Sequence, residues 1–146
     1  AAARGARGPV RAYVDTSVVL RVAFAESDQL EAWSRITRPL SSELLRMECL
    51  RTLDRARLRQ TLDEAEVARI RADLIEIVDS FDLIELDEQV KARATEPFPT
   101  MLRTLDAMHL SSALLARAAE DREMAFATHD RELAIAATAV GFKVLA

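Results

Sequence analysis

The apolar positions of this chain switch repeatedly between a strand-like and a helix-like spacing, and the switching sets the expected elements. Val10-Arg11-Ala12-Tyr13-Val14 reads as a short buried strand that runs out into Asp15. An apolar helical run over 16–25 follows it. Asp28-Gln29-Leu30-Glu31 has a capping-box pattern and predicts another short helix over 28–33. Pro39 keeps Arg38 out of the α region, so 38–41 is expected as a short second strand. Ser42 is placed to cap a helix over 42–58. Thr61-Leu62-Asp63-Glu64 is a clearer capping box, and Val67, Ile70, Leu74, Ile77 and Val78 follow at helical spacing. A third strand is expected over 81–86, a short helix over 87–94 and a connecting loop at Glu96-Pro97-Phe98-Pro99. A strong Ala- and Leu-rich helix is predicted over 104–120. The fourth strand, 124–128, ends at His129-Asp130, and a last helix over 131–140 stops at Gly141 before a final strand over 142–145.

Strands alternate with helices throughout, which implies an α/β fold: a central parallel sheet with helices on both faces. The length and the high hydrophobic share suit one domain with one core, expected over 10–146. Residues 1–9 are small and basic and lack an apolar stretch, so they read as a cloning remnant or loose tail and not as a signal peptide. No apolar run approaches the length of a membrane span. A single cysteine, Cys49, excludes an intrachain disulfide and suggests a cytoplasmic address.

The formal net charge of −4 argues against a protein that holds nucleic acid by a large positive field. It stays compatible with a nuclease whose clustered carboxylates lower the total while arginines elsewhere grip phosphate. The 20 basic residues are 18 Arg and 2 Lys. The guanidinium fork suits phosphate and carboxylate recognition, but composition alone favours a GC-rich genome as the cause.

Four carboxylates stand out by position. Asp15 and Asp130 follow strands, at the sheet edge where open α/β folds place ligands. Asp106 falls in the first turn of the helix before the fourth strand. Glu48 lies in the second long helix among Leu44, Leu45, Met47 and Cys49, where a charge is costly unless it is paired or holds a cation. Taken singly, each has a structural explanation. Asp15 and Asp130 can cap helices, Asp106 can favour a helix N-terminus, and Glu48 can pair with Arg51 or Arg55 on its own helix face. As a set they are hard oxygen donors gathered at one end of a sheet, which suits Mg²⁺ or Mn²⁺. There is no CxxC and no HExxH. The three glycines, at 5, 8 and 141, leave no phosphate-cradling loop after the first strand, which removes P-loop and dinucleotide-binding readings.

Four segments in order carry a resemblance. They are Val14-Asp15-Thr16-Ser17, Met47-Glu48-Cys49-Leu50-Arg51 with Ser42 six residues before its glutamate, Leu105-Asp106-Ala107-Met108-His109-Leu110, and Thr128-His129-Asp130-Arg131-Glu132-Leu133. The chain from Val10 onward resembles the PIN-domain ribonucleases, most nearly the VapC toxins of bacterial toxin–antitoxin pairs, and the ending Gly141-Phe142-Lys143-Val144 is similar as well. The resemblance implies a three-layer α/β/α sandwich and Mg²⁺- or Mn²⁺-dependent cleavage of RNA, typically structured RNA such as tRNA or rRNA. Carried over, Asp15, Glu48 and Asp106 are core metal ligands and Asp130 is the fourth acid. Ser17 and Thr128 fall where the family often has hydroxyls that support the acids. Glu43 is a rival for the second acid, with Glu48 preferred because the family's glutamate lies well inside that helix. The resemblance also implies silencing by a VapB-like antitoxin and a homodimer.

Other features have weaker claims. His109 shares a helical face with Asp106 and reads as a hydrogen-bonded structural residue, and His129 is given no catalytic role. Arg51, Arg55 and Arg59 project on nearly the same face as Glu48, either as a solvated basic face or as contacts to RNA phosphate or an acidic antitoxin segment. Leu30, Phe24 and Trp33 form core or, if exposed, a partner patch. The alternatives from another class are a degenerate PIN domain that binds RNA without cutting it and a receiver-like module with an acidic pocket.

Overall fold

The structure, a computed structural model, describes residues 8–120 and 123–146. Of the tail expected over 1–9, residues 1–7 lie outside the described residues. Five short strands form one parallel sheet: β1 (Ala12–Val14), β2 (Leu40–Ser42), β3 (Asp82–Ile84), β4 (Ala125–Ala127) and β5 (Val144–Leu145). Their order is β3-β2-β1-β4-β5. β1 is central. It meets β2 at Tyr13↔Leu40 and β4 along its whole length, with Ala12↔Ala125, Tyr13↔Phe126 and Val14↔Ala127 paired.

The chain winds outward from β1 to β3, returns to the centre, and winds outward again through β4 and β5. Its direction of winding therefore reverses between β1 and β4, and ligands of open α/β sheets bind at that switch point, outside the carboxyl ends of the strands. A receiver-like domain has the order 2-1-3-4-5 instead, so the receiver-like alternative fails on topology.

Side chains of successive strand residues point to opposite faces, and the two layers follow from that alternation. Ala12, Val14, Ala125 and Ala127 pack into one core with side chains from α1 (Thr16–Ala23), α2 (Leu44–Leu58) and α3 (Glu64–Asp79), among them Val18, Leu45 and Ile70. Tyr13 and Phe126, between them in sequence, face the other core with Leu110 and Leu133. Those residues come from α5 (Thr104–Ala119) and α6 (Arg131–Ala139), and α4 (Glu88–Thr95) packs against α5. The result is the expected three-layer α/β/α sandwich. Among the described residues, no helix is long and apolar enough to cross a membrane.

The boundaries differ from the expected ones for local reasons. The helix expected over 28–33 does not form; only a 3-10 turn over Trp33–Arg35 is present. The Asp28 carboxylate that would cap it is paired with Arg21 at 2.8 Å, and the same guanidinium takes the Asp28 carbonyl at 3.1 Å. α1 ends at Ala23 because Ala25 adopts a left-handed φ of 53°. The capping box of α3 is Asp63 with Glu66, two residues later than expected, since the Thr61 hydroxyl donates to the Ala56 carbonyl instead. Val10 makes only an isolated bridge with Ile36. β2 starts two residues late, after Pro39, which has no N–H for the ladder. β3 stops at Ile84, and beyond it the Leu86 N–H turns to the Glu43 carboxylate at 3.0 Å. The close of α6 is as expected, with Gly141 at a φ of 93°.

Candidate active site

Asp15 leaves β1 still on the ladder, its N–H bonded to the Ala127 carbonyl at 2.9 Å. It occupies the N-cap position of α1 with extended backbone, yet its side chain caps nothing. Its Oδ2 accepts from the Ser17 hydroxyl at 2.8 Å and from the Thr128 hydroxyl at 2.9 Å. The carboxylate is thereby turned across the end of the sheet and held there almost fully buried, at 6 % exposure. Ser17 also accepts the His129 N–H at 2.9 Å, and Thr128 accepts the Asp130 N–H at 3.0 Å. Two hydroxyls thus lace the end of β1 to the end of β4.

Asp130 does cap, accepting the Leu133 N–H on Oδ1 at 2.9 Å. Asp106 stands in the first turn of α5 and makes no cap. Burial, followed by the charges of Asp130 and Asp15, pushes its pKa up to about 6.

Glu48, in the second turn of α2, accepts from the Thr16 hydroxyl at 3.0 Å and stands 2.5 Å from Nε2 of His109, both on Oε1. His109 is fully buried, its Nδ1 lies 2.6 Å from the Tyr13 hydroxyl, and its Nε2 is 3.9 Å from Asp15 Oδ1. Burial opposes charge on this ring, but the bond to Glu48 and the nearby carboxylates outweigh it, so its pKa is raised. The Tyr13 hydroxyl is held well above its ordinary pKa by burial. Burial likewise pushes the Cys49 thiol up to about 12, so this cysteine is a neutral core group.

Asp15, Glu48, Asp106 and Asp130 all line one cleft of about 520 Å³ at the carboxyl edge of the sheet. Ser17, Arg51 and Arg55 line it as well. Thr128 reaches it through Asp15. Arg59 is not among the lining residues and lies just past the end of α2. Glu43 turns its carboxylate to Leu86. The intrahelical pairing considered for Glu48 is not what forms: Arg51 goes to Asp54 at 3.3 Å and Arg55 to the Thr52 hydroxyl at 3.1 Å. Leu30 is buried, and Phe24 and Trp33 are partly buried against the same core, as packing predicts. Sequence reasoning missed Thr16 and Tyr13. The signal for Thr16 was a hydroxyl immediately after a strand-end aspartate, at the start of an apolar helix.

The donor set fits a hard divalent cation. Four carboxylates line one cleft, and the pKa of Asp106 is raised there by burial first and by the neighbouring carboxylates second. Among the described residues, no group of three or more His, Cys, Asp or Glu side chains is gathered closely enough to hold a metal ion as it stands. Acids spread around a cleft suit Mg²⁺, which keeps several waters and takes few carboxylates directly.

The family model described as PIN domain matches residues 12–139. The chain is 33% identical over 137 residues to "Ribonuclease VapC46" of Mycobacterium tuberculosis, covering 92% of this chain and 95% of that protein. It is 32% identical over 138 residues to "Ribonuclease VapC47" of the same species, covering 89% and 92%. Among solved structures it is similar to PAE2754 from Pyrobaculum aerophilum, with a TM-score of 0.56 and 21% identity over 95% of this chain and 88% of that one, a likeness of fold alone.

Proposed function

This chain belongs to the PIN-domain family, in its VapC group, and from that premise we propose that it is the metal-dependent endoribonuclease toxin of a toxin–antitoxin pair. One observation carries the reading. Acids from four separate elements, Asp15 after β1, Glu48 on α2, Asp106 on α5 and Asp130 after β4, meet in one cleft at the switch point of the sheet.

Asp15, Glu48, Asp106 and Asp130 are the residues that would hold Mg²⁺ or Mn²⁺. When bound, the ion supplies a water of lowered pKa and Lewis-acid stabilisation of the scissile phosphate. The protein's own part is orientation. Ser17 and Thr128 fix Asp15, Thr16 and His109 fix Glu48, and the helix N-terminus fixes Asp130. Arg51 and Arg55 line the cleft beside the acids, where a guanidinium pairs with RNA phosphate. Hard carboxylate donors, with no histidine among the described residues that line the cleft, favour direct hydrolysis, which leaves a 5′-phosphate.

The substrate is a structured RNA of the tRNA or rRNA class, and a VapB-like antitoxin covers the cleft and silences it. The toxin works as a homodimer in the cytoplasm. The test is cleavage of total RNA with Mg²⁺ or Mn²⁺, with the ends of the fragments mapped. The expected result is 5′-phosphate ends, loss of cleavage in EDTA and loss in Asp15→Asn. Full activity in EDTA, or 2′,3′-cyclic phosphate ends, would overturn the reading. Co-purification with the product of an adjacent small gene tests the antitoxin.

A further inference from the structure

The deepest polar feature next to the cleft is a chain of three side chains from three elements: Tyr13 of β1, His109 of α5 and Glu48 of α2. The Tyr13 hydroxyl lies 2.6 Å from Nδ1 of His109, and Nε2 of the same ring lies 2.5 Å from Glu48 Oε1. Tyr13 and His109 have no exposed surface. Such polar groups cost stability unless every partner is met, so a core of this kind holds a tyrosine and a histidine only where their bonds fix something. Here the chain ends at a carboxylate that opens on the cleft, with a quarter of its side chain exposed.

We infer that Tyr13 and His109 are positioning residues that orient Glu48 for a divalent cation, an inference that rests on the reading of Glu48 as a metal ligand. Tyr13 sets the ring. With a neutral imidazole, its O–H donates to Nδ1 and confines the ring proton to Nε2; with an imidazolium, both nitrogens carry protons. Either way an N–H points at Glu48 Oε1. Thr16 donates to the same oxygen at 3.0 Å. Two donors on Oε1 fix the plane of the carboxylate and leave Oε2 as the oxygen for a ligand. Tyr13 is itself clamped, stacked on Phe126 with ring centroids 5.3 Å apart. The arrangement differs from a metal-bound histidine: the ring is bonded to the Glu48 carboxylate, which would hold the ion in its place. Partners in this outer layer typically change metal affinity or activity by 10–100-fold when removed.

The test is calorimetric titration of Mn²⁺ into the purified chain, for wild type, Tyr13→Phe, His109→Leu, His109→Gln, Glu48→Gln and the double variant H109L/E48Q. Melting curves are taken for each. Tyr13→Phe keeps the ring stack and removes only the hydroxyl, so it carries the test even where His109→Leu does not fold. The expected result is about 10–100-fold weaker Mn²⁺ binding for His109→Leu, a smaller loss for Tyr13→Phe, and partial recovery in His109→Gln, which keeps a side-chain N–H. In the Glu48→Gln background, His109→Leu changes the affinity no further. Turnover on RNA falls in kcat with KM unchanged. Wild-type Mn²⁺ affinity in Tyr13→Phe, and in His109→Leu wherever that variant folds, overturns the inference while leaving the metal reading intact. An equal loss with and without Glu48 does so as well. Failure of the wild-type chain to bind Mn²⁺ overturns the metal reading itself, and the inference with it.

Discussion

Thr128, just after β4, donates its hydroxyl to Oδ2 of Asp15, just after β1, across 2.9 Å and 113 positions of sequence. The contact exists because β1 and β4 run parallel and in register, with Val14 opposite Ala127. One residue further along each strand brings the two side chains together at the sheet edge. The same Thr128 oxygen accepts the Asp130 N–H, so one hydroxyl ties the first acid to the loop that carries the fourth.

Thr128→Val keeps the shape and removes that tie. The Asp130 N–H loses a part-buried hydrogen bond, at a cost of about 0.5–1.5 kcal/mol, so the melting temperature falls slightly. Asp15 loses one of its two hydroxyl donors, and cleavage falls about 10–100-fold, the usual scale for a residue that orients a metal ligand. Thr128→Ser restores most of both. Wild-type turnover in Thr128→Val would separate the hydroxyl from the chemistry.

Asp106 sets a pH dependence whose sign is unusual for an aspartate. Its pKa rises from 3.8 to about 6, because burial and neighbouring carboxylates disfavour its charge. The folded protein therefore holds this proton to higher pH than the unfolded chain does. The stability it contributes is complete below the ordinary carboxylate pKa and is lost as pH rises through about 6. Asp106 is partly exposed, so solvent screening shrinks the effect. Asp106→Asn removes the charge. Without metal, it should melt above wild type at about pH 7.5 and no higher than wild type at about pH 4, while cleaving no RNA. A lower melting temperature at the higher pH would sink the argument. Divalent cation should raise the wild-type melting temperature and leave Asp106→Asn nearly unmoved.

Arg51, Arg55 and Arg59 share one helical face in sequence, but the fold separates them. Arg51 and Arg55 line the cleft, whereas Arg59 lies past the end of α2. Arg55→Gln should weaken RNA binding and reduce the slope of log affinity against log salt by about 1, the loss expected for one phosphate contact. Arg59→Gln should change neither. Wild-type slopes in both variants would return Arg55 and Arg59 to a solvated face.

The sheet and the acids were legible because they rest on patterns that local sequence carries. Parallel α/β order follows from alternating elements, and each acid sits at a strand end, in a first helical turn or within an apolar helix. Competition for side chains was not legible. Asp28 looks like a helix cap until Arg21 takes its carboxylate, and Thr61 looks like one until it turns back to Ala56. Asp15 looks equally like a cap, and only the arrival of Thr128 from the neighbouring strand shows why it is not. The bond of Tyr13 to His109 joins residues 96 apart, a relation that no local spacing encodes.

Glu43 and Glu48 are the two candidates for the second acid, and their surroundings predict opposite phenotypes. Glu43 Oε1 accepts the Leu86 N–H at 3.0 Å, and the Glu43 N–H donates to the Ile84 carbonyl at the same distance. Glu43 thus staples the start of α2 to the exit of β3, on the side of the sheet away from β4. Glu48 instead opens on the cleft, its Oε1 held by Thr16 and His109. Glu43→Ala removes an exposed charged acceptor from one backbone N–H, worth about 1 kcal/mol. It should lower the melting temperature slightly and leave turnover within a factor of about 2. Glu48→Gln keeps an acceptor for Thr16, so the fold should persist, but it removes one negative charge from the set of ligands. Turnover should then fall about 100-fold or more, the upper end of what removing orienting partners alone does. Parallel kinetics and melting curves of the two variants decide the assignment. A reversal, with turnover lost in Glu43→Ala and kept in Glu48→Gln, would move the second acid to the N-cap of α2 and leave the Tyr13–His109 chain with nothing to orient.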